Sequence, residues 1–310
     1  MRKTFIQSLL KAAKDDPNII FVTGDLGYGV VDDFARELPA QFINAGISEQ
    51  AMMGMAAGLA SQGNRVFVYS IGNFSTLRCL EQIRNDVCAM NNSVVIVSVG
   101  SGYSYGTQGY THHAVEDIAV MRALPHIEIL LPSDSEEVRV VTEYLCSSRN
   151  PAYLRLGKDG EPKIHSAGSI KFDGSPYKIT DGSDFAILTA GSIASEAILA
   201  VNSLATKGIV GSIYLVPSLN WVTKNFLEQL SQYRALITLE EHAPSGGFGS
   251  AILEKLNGIG SVANVKIVAA DQSMLSEIGS QSYLRNAKGI SGQHIETIVL
   301  QLLGTSDQNS

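Results

Sequence analysis

Short, continuous apolar runs alternate along this chain with longer amphipathic ones. Residues 3–15 space their apolar positions as a helix does, and "IIFVTGD" follows as a buried strand ending in a Gly-Asp turn. "RVFVYSI", "SVVIVSVG", "HIEILLPSD" and "PAYLRLG" read as four more strands. Helices are predicted over 75–91 and in "SDSEEVRVVTEYLCSS", which opens on capping residues. Apolar runs of this length between helices are what a parallel sheet covered on both faces requires. The pattern then breaks. Residues 159–180, within "KDGEPKIHSAGSIKFDGSPYKITDG", are rich in Gly, Ser, Pro and Lys and read as a linker with room for a short hairpin. Beyond it "DFAILTAG", "GSIYLVP", "RALITLEE" and "NVKIVAAD" supply strands, with helices at 193–206, 222–232 and 248–257. The predicted fold class is α/β in two domains, 1–158 and 181–310, each a mostly parallel sheet covered by helices.

One predicted helix is not amphipathic. In "NAGISEQAMMGMAAGLASQG" a helix begins near Ile47 and Ser48 and is apolar or small on every side. Such a helix is expected to be buried on every face, in a core or at a subunit interface. Glu49 nonetheless sits in its first turn, where a carboxylate gains from the helix dipole or does chemistry. His112 and His113, in "GSGYSYGTQGYTHH", follow a strand end, where α/β folds place sites. Their adjacency is not zinc-ligand spacing. Arg78, Glu81 and Arg84 read as an ion-pair set along one helix face. The Gly-rich "EEHAPSGGFGS" offers an anion cradle at a helix N-terminus, though a structural turn is the simpler reading.

Composition narrows the classes. Of 310 residues, 45% are hydrophobic and 17% charged, which suits large cores and excludes disorder. A net charge of −7 without a basic stripe argues against nucleic acid and anionic membrane. Cys79, Cys88 and Cys146 lack metal or redox spacing and read as reduced thiols. The start is amphipathic and no run of 18 apolar residues occurs, so a soluble, cytoplasmic protein is expected.

Taken in order, "GISEQAMMGMAAGLASQG", "FSTLRCLEQIRNDV", "GTQGYTHHAVEDIAVMRALPHIEILLPSD" and "PAYLRLG" resemble the pyrimidine-binding domain of transketolases. "GSDFAILTAGSIASEAILAVNSL" and "LEEHAPSGGFGSAI" resemble the transketolase C-terminal domain. Nearly the whole chain is covered, and it looks like the separate C-terminal-half subunit of split transketolases. The resemblance implies a thiamine-diphosphate-dependent transfer of a two-carbon ketol unit from a ketose to an aldehyde. It implies that Glu49 hydrogen-bonds N1′ of the cofactor's aminopyrimidine. Burial disfavours charge on a carboxyl group, so such an acid can exchange a proton with the ring nitrogen, while the cofactor carries the hard step. Phe74 is the candidate to stack on the pyrimidine, with Asp25 and Arg78 near the cofactor. His112 aligns with a substrate-contacting histidine that relays protons, and His113 stands beside it. Arg2, and Arg155 or Lys158, match phosphate-contacting positions.

Three positions depart from the family. Gln108 stands where an aspartate contacts the ketose, Gly100 where a histidine contacts the acceptor phosphate, and Gly29 where a serine does. The two glycines, neutral replacements in an anion pocket, point away from a standard sugar-phosphate acceptor. The motif that holds the diphosphate through Mg²⁺ or Ca²⁺ is missing. The resemblance therefore implies an N-terminal-half partner subunit that binds the metal, and a site between subunits. It also implies a homodimer of this chain within an α₂β₂ assembly. On the same scaffold the rivals are a 2-oxo acid dehydrogenase β subunit and a deoxyxylulose-phosphate synthase-like half. A non-catalytic scaffold subunit is the rival outside enzymes.

Overall fold

The apolar runs pair into two sheets. The computed structural model describes residues 1–158, 160–261, 264–273 and 275–304. The first sheet contains β1 (Ile19–Thr23), β2 (Phe42–Asn44), β3 (Arg65–Ile71), β4 (Val94–Val99), β5 (Glu128–Leu130) and β6 (Ala152–Leu156). Their spatial order is β2-β1-β3-β4-β6-β5, and every neighbouring pair is parallel. Helix α1 (Arg2–Asp15) covers one face, where Phe5 and Leu9 pack with Phe21, Phe67 and Val97. Helix α2 (Glu49–Ser61) covers the other, with Met52, Met53 and Ala56 against Val66, Val68 and Ile96. Helix α3 (Ser135–Ser147) lies beside α1. Because the strands are parallel, their carboxyl ends share one edge. The strand order reverses between β1 and β3, and α/β folds bind ligands at the carboxyl edge beside such a reversal.

The second sheet has the order β11-β10-β8-β9-β7. It comprises β7 (Tyr177–Thr180), β8 (Phe185–Thr189), β9 (Gly211–Leu215), β10 (Ala235–Leu239) and β11 (Val265–Val268). Only β7 runs antiparallel to its neighbour. Helices α4 (Ala194–Thr206), α5 (Phe248–Gly258), α6 (Gln281–Ala287) and α7 (Gly292–Leu303) accompany it.

The elements differ from the sequence expectation in four places. Strand β7 lies inside the stretch expected as linker; Tyr177 and Ile179 alternate onto the second core. Strand β2 is too short for a periodicity to register. Helices α6 and α7 lie beyond the last predicted strand. The helix expected over 75–91 is broken: Thr76 leaves helical geometry at φ −115°, ψ −83°. A tight turn (Leu77–Cys79), one α turn (Leu80–Gln82) and a π turn (Ile83–Cys88) follow.

The linker is pinned to the first domain by Asp134, the N-cap of α3. One carboxylate oxygen accepts from the backbone N–H of Glu136 and Glu137. The other accepts from those of Ile164 and His165, at 2.9 and 2.7 Å.

Candidate active site

All but one of the residues expected at the site lie along the carboxyl edge of the first sheet. Asp25 follows β1, Glu49 follows β2, and Phe74 and Arg78 follow β3. Gln108, His112 and His113 follow β4, and Lys158 follows β6. Arg2 opens α1, which runs back from that edge.

Glu49 is the first residue of α2. The hydroxyl of its N-cap, Ser48, turns back to the Ala45 carbonyl at 2.7 Å instead of capping the helix. Glu49 is 3% exposed, and its Oε2 accepts from Arg78 Nη1 at 2.7 Å. This is a correction to the sequence reading. The acid does not stand alone in an apolar pocket, and Arg78 does not join Glu81 and Arg84 along one helix face. The break at Thr76 turns Arg78 toward α2 instead, and Arg84 donates to Asn85.

From Glu49 the contacts run on as a line. The Arg78 guanidinium lies over the Phe74 ring, 4.2 Å from its centroid. Phe74 meets the His112 ring at 5.2 Å, and His112 faces the Tyr105 ring at 6.3 Å, both edge-on. Lys158 Nζ sits 4.9 Å from the Tyr105 ring centre, and Arg2 Nε donates to the Lys158 carbonyl. Six expected residues are thus brought together, with Tyr105 as the member that the sequence reading missed. The loop holds three tyrosines, Tyr103, Tyr105 and Tyr110, and nothing in the sequence singles out Tyr105 among them.

The remaining candidates are placed differently. His113 points inward: it is 3% exposed, its Nε2 lies 3.3 Å from the Gly106 carbonyl, and burial pushes its pKa down. It props the loop that carries His112, and Asn73 Nδ2 donates to its carbonyl at 2.9 Å. Asp25 is held at φ 56°, a left-handed geometry that Asp tolerates better than most residues. Hydrogen bonds from Asn44 Nδ2 (3.0 Å) and the Tyr28 hydroxyl (2.8 Å) keep its carboxyl below the usual range. A Cβ on its neighbour Gly24 would stand 3.6 Å from Glu49 Cγ, so Asp25 lies one residue from the Glu49 side chain's surroundings. Gln108 is exposed at the end of the turn Gly106–Gln108.

Arg155 is the exception and a correction. It sits within β6, 5% exposed, with Nε 2.7 Å from Asp117 Oδ2. Its Nη2 donates to the carbonyls of Ala114 (2.8 Å) and Glu241 (3.1 Å). Burial opposes charge on Asp117, but the charges of Arg155 and His242, with hydrogen bonds from Arg155 and Tyr153, together outweigh it and lower the carboxyl's pKa. Arg155 is a tie between the domains rather than a substrate contact. A side chain inside a buried strand faces a core, whereas Lys158 lies past the strand end.

Within this chain helix α2 is covered on one side. Met52, Met53, Ala56 and Ala60 are buried, but Gln50, Ala51, Met55 and Gly58 form an exposed stripe, continued by Ile47 at 79% exposure. The sheet covers only one side of it. The "EEHAPSGGFGS" turn holds no vacant anion cradle. Glu240 accepts from the backbone N–H of Phe248 (2.6 Å) and Gly249 (3.0 Å), and burial pushes its pKa up to about 7.

Comparison with known proteins identifies the family of both domains. Residues 1–161 match the transketolase pyrimidine-binding domain, and residues 176–295 match the transketolase C-terminal domain. The chain belongs to the transketolase family. It is similar to one of the subunits of an apulose-4-phosphate transketolase from Phocaeicola vulgatus, 36% identical over 259 residues and 83% of each chain. It is 28% identical to a 6-deoxy-6-sulfo-D-fructose transketolase subunit of a Clostridium species, over 95% of this chain and 92% of that one. Its fold matches a split-gene transketolase solved as an inactive beta4 tetramer, with TM-score 0.86 and 28% identity over 99% and 98% of the two chains. This transketolase-family chain is a subunit of a transketolase-type transferase.

The pyrimidine-binding domain of a transketolase implies thiamine diphosphate, and the residues fit its pyrimidine half. Glu49 Oε2 is anchored by Arg78, while Oε1 makes no hydrogen bond among the described residues. Phe74 is half-buried between Arg78 and His112. Among the described residues, the one group of three close metal-ligating side chains is Asp134, Glu137 and His165, at the linker. Four backbone N–H groups already occupy the Asp134 oxygens. No helix among the described residues is long and apolar enough to cross a membrane.

Proposed function

We propose that this chain works with a partner subunit that carries the diphosphate-binding domain and its Mg²⁺ or Ca²⁺, in an α₂β₂ assembly in the cytoplasm. The reaction moves a two-carbon ketol unit from a ketose phosphate to an aldehyde. A ketose phosphate donor is supported by the name of the P. vulgatus relative and by the two cations, Arg2 and Lys158, at one end of the contact line. Gly100 and Gly29 stand where the resemblance implies acceptor-phosphate contacts, which leaves Arg2 and Lys158 to hold an acceptor's anionic end and favours an acceptor other than a standard sugar phosphate.

Bound thiamine diphosphate supplies the nucleophilic carbon. Glu49 Oε1 holds and moves the proton at the ring nitrogen, and Arg78 fixes the carboxylate through Oε2. Phe74 positions the ring plane. His112, half-buried and 3.0 Å through Nδ1 from the Thr111 hydroxyl, accepts and returns the proton of the substrate hydroxyl. The exposed stripe of α2 is the surface that the partner covers, which excludes water from Glu49.

The observation that carries this reading is the Glu49 carboxylate: buried, tethered at one oxygen and open at the other, at the head of the line leading to His112. Replacing Glu49 with Ala in the reconstituted two-subunit enzyme should lower turnover by at least about a hundredfold. Gel filtration should show assembly intact. Normal turnover in the variant overturns the mechanism.

A further inference from the structure

Gly100 closes β4's exit at φ +89°, and its N–H and that of Ser101 both donate to the Leu156 carbonyl. A Cβ built there would stand 2.2 Å from two carbons of the Tyr105 ring. The space that a side chain at position 100 would take is therefore filled by Tyr105. This ring is half-buried and lies on the line between His112 and Lys158. Its hydroxyl makes no hydrogen bond among the described residues, and burial pushes its pKa up, so the phenol stays neutral.

A substrate that reaches from the proton-handling His112 to the Arg2–Lys158 cations must pass along this ring. We propose that Tyr105 is a specificity-determining residue: its ring, seated over Gly100, shortens the acceptor channel and selects short aldehydes with an anionic end over longer ones. The inference rests on the proposed function, since it needs His112 and the two cations to mark the ends of the channel. Tyr105 touches the acceptor and takes no part in moving protons.

The test uses the reconstituted two-subunit enzyme with hydroxypyruvate as donor. Two acceptors are compared, glyceraldehyde 3-phosphate with three carbons and ribose 5-phosphate with five. The readout is the ratio of their kcat/KM values, from which the shared donor step cancels. Tyr105→Ala should move that ratio about tenfold toward the five-carbon acceptor, the scale on which pocket volume discriminates substrates. Tyr105→Phe keeps the ring and should leave the ratio in place. Tyr105→Leu, which keeps an apolar contact over Gly100, should move it in the same direction and stands in for an alanine variant that does not fold. A purely structural Tyr105 would lower both kcat/KM values together. An unmoved ratio in both the Ala and Leu variants, or an equal shift in the Phe variant, overturns the assignment. Failure of the unsubstituted enzyme to cleave either hydroxypyruvate or a ketose phosphate strikes the proposed function instead, and this inference falls with it.

Discussion

Glu49 shows what a single position can and cannot disclose. Its place in the first turn of α2 was readable, because the motif around it is contiguous. Arg78 was readable as a charge but not as its partner, since that pairing depends on the break at Thr76, which no periodicity announces. Arg155 and Lys158 show the same limit: nearby in sequence, one falls inside a strand and the other past its end. A second buried acid lies away from the site. Glu137 is fully buried, and burial pushes its pKa up to about 8, although Ser133 N–H and the nearby His165 oppose the shift. The unfolded chain ionises this carboxyl near the ordinary glutamate value, so the folded state holds the extra proton between about pH 4.5 and pH 8. Its contribution to stability is therefore present at low pH and lost as pH rises through that window. Glu137→Gln should flatten the fall in Tm between pH 5 and pH 8, measured by calorimetry, with little change at pH 5. An unaltered slope would refute this account.

At the scale of elements, the long buried strands were legible because both their faces meet helices, which makes the apolar runs continuous. Strand β2 spans three residues and β7 sits at a sheet edge, so neither leaves such a run. The composition of α2 was legible, but whether every face is covered within one chain was not, because a helix covered by another subunit has the same apolar sequence. Its outer stripe is where a charge should be tolerated alone and penalised in the assembly. Met55→Glu should leave the isolated chain's Tm unchanged within error and weaken association with the partner at least about tenfold, since an unpaired charge would be buried there. Titration by analytical ultracentrifugation decides this, and undiminished association would move the interface elsewhere.

At the scale of the molecule, the proposed function gives this chain half of a cofactor site, a proton-handling acid and a ring platform, and leaves the metal-bound diphosphate to a partner. The purified chain alone should give no measurable heat with thiamine diphosphate and Mg²⁺ in calorimetry, and the mixture with its partner should. Binding by the chain alone would show a complete site within it. The two-domain plan was readable from the change in composition near residue 159, but the traffic between the domains was not. Glu241, in the second domain, accepts from the backbone N–H of Tyr103 at 3.0 Å and from Arg285 Nη2 at 2.7 Å. Gly106 packs against Gly279 and Leu284, leaving no room for a Cβ. Both contacts fall on the loop that ends in His112. The C-terminal domain thus serves as an anvil for that loop, although it contributes no group to the contact line. A polypeptide cut within the linker would retain every residue of that line and still leave His112 on a slack tether, so the two domains form one mechanical unit that gene fission would have to keep whole.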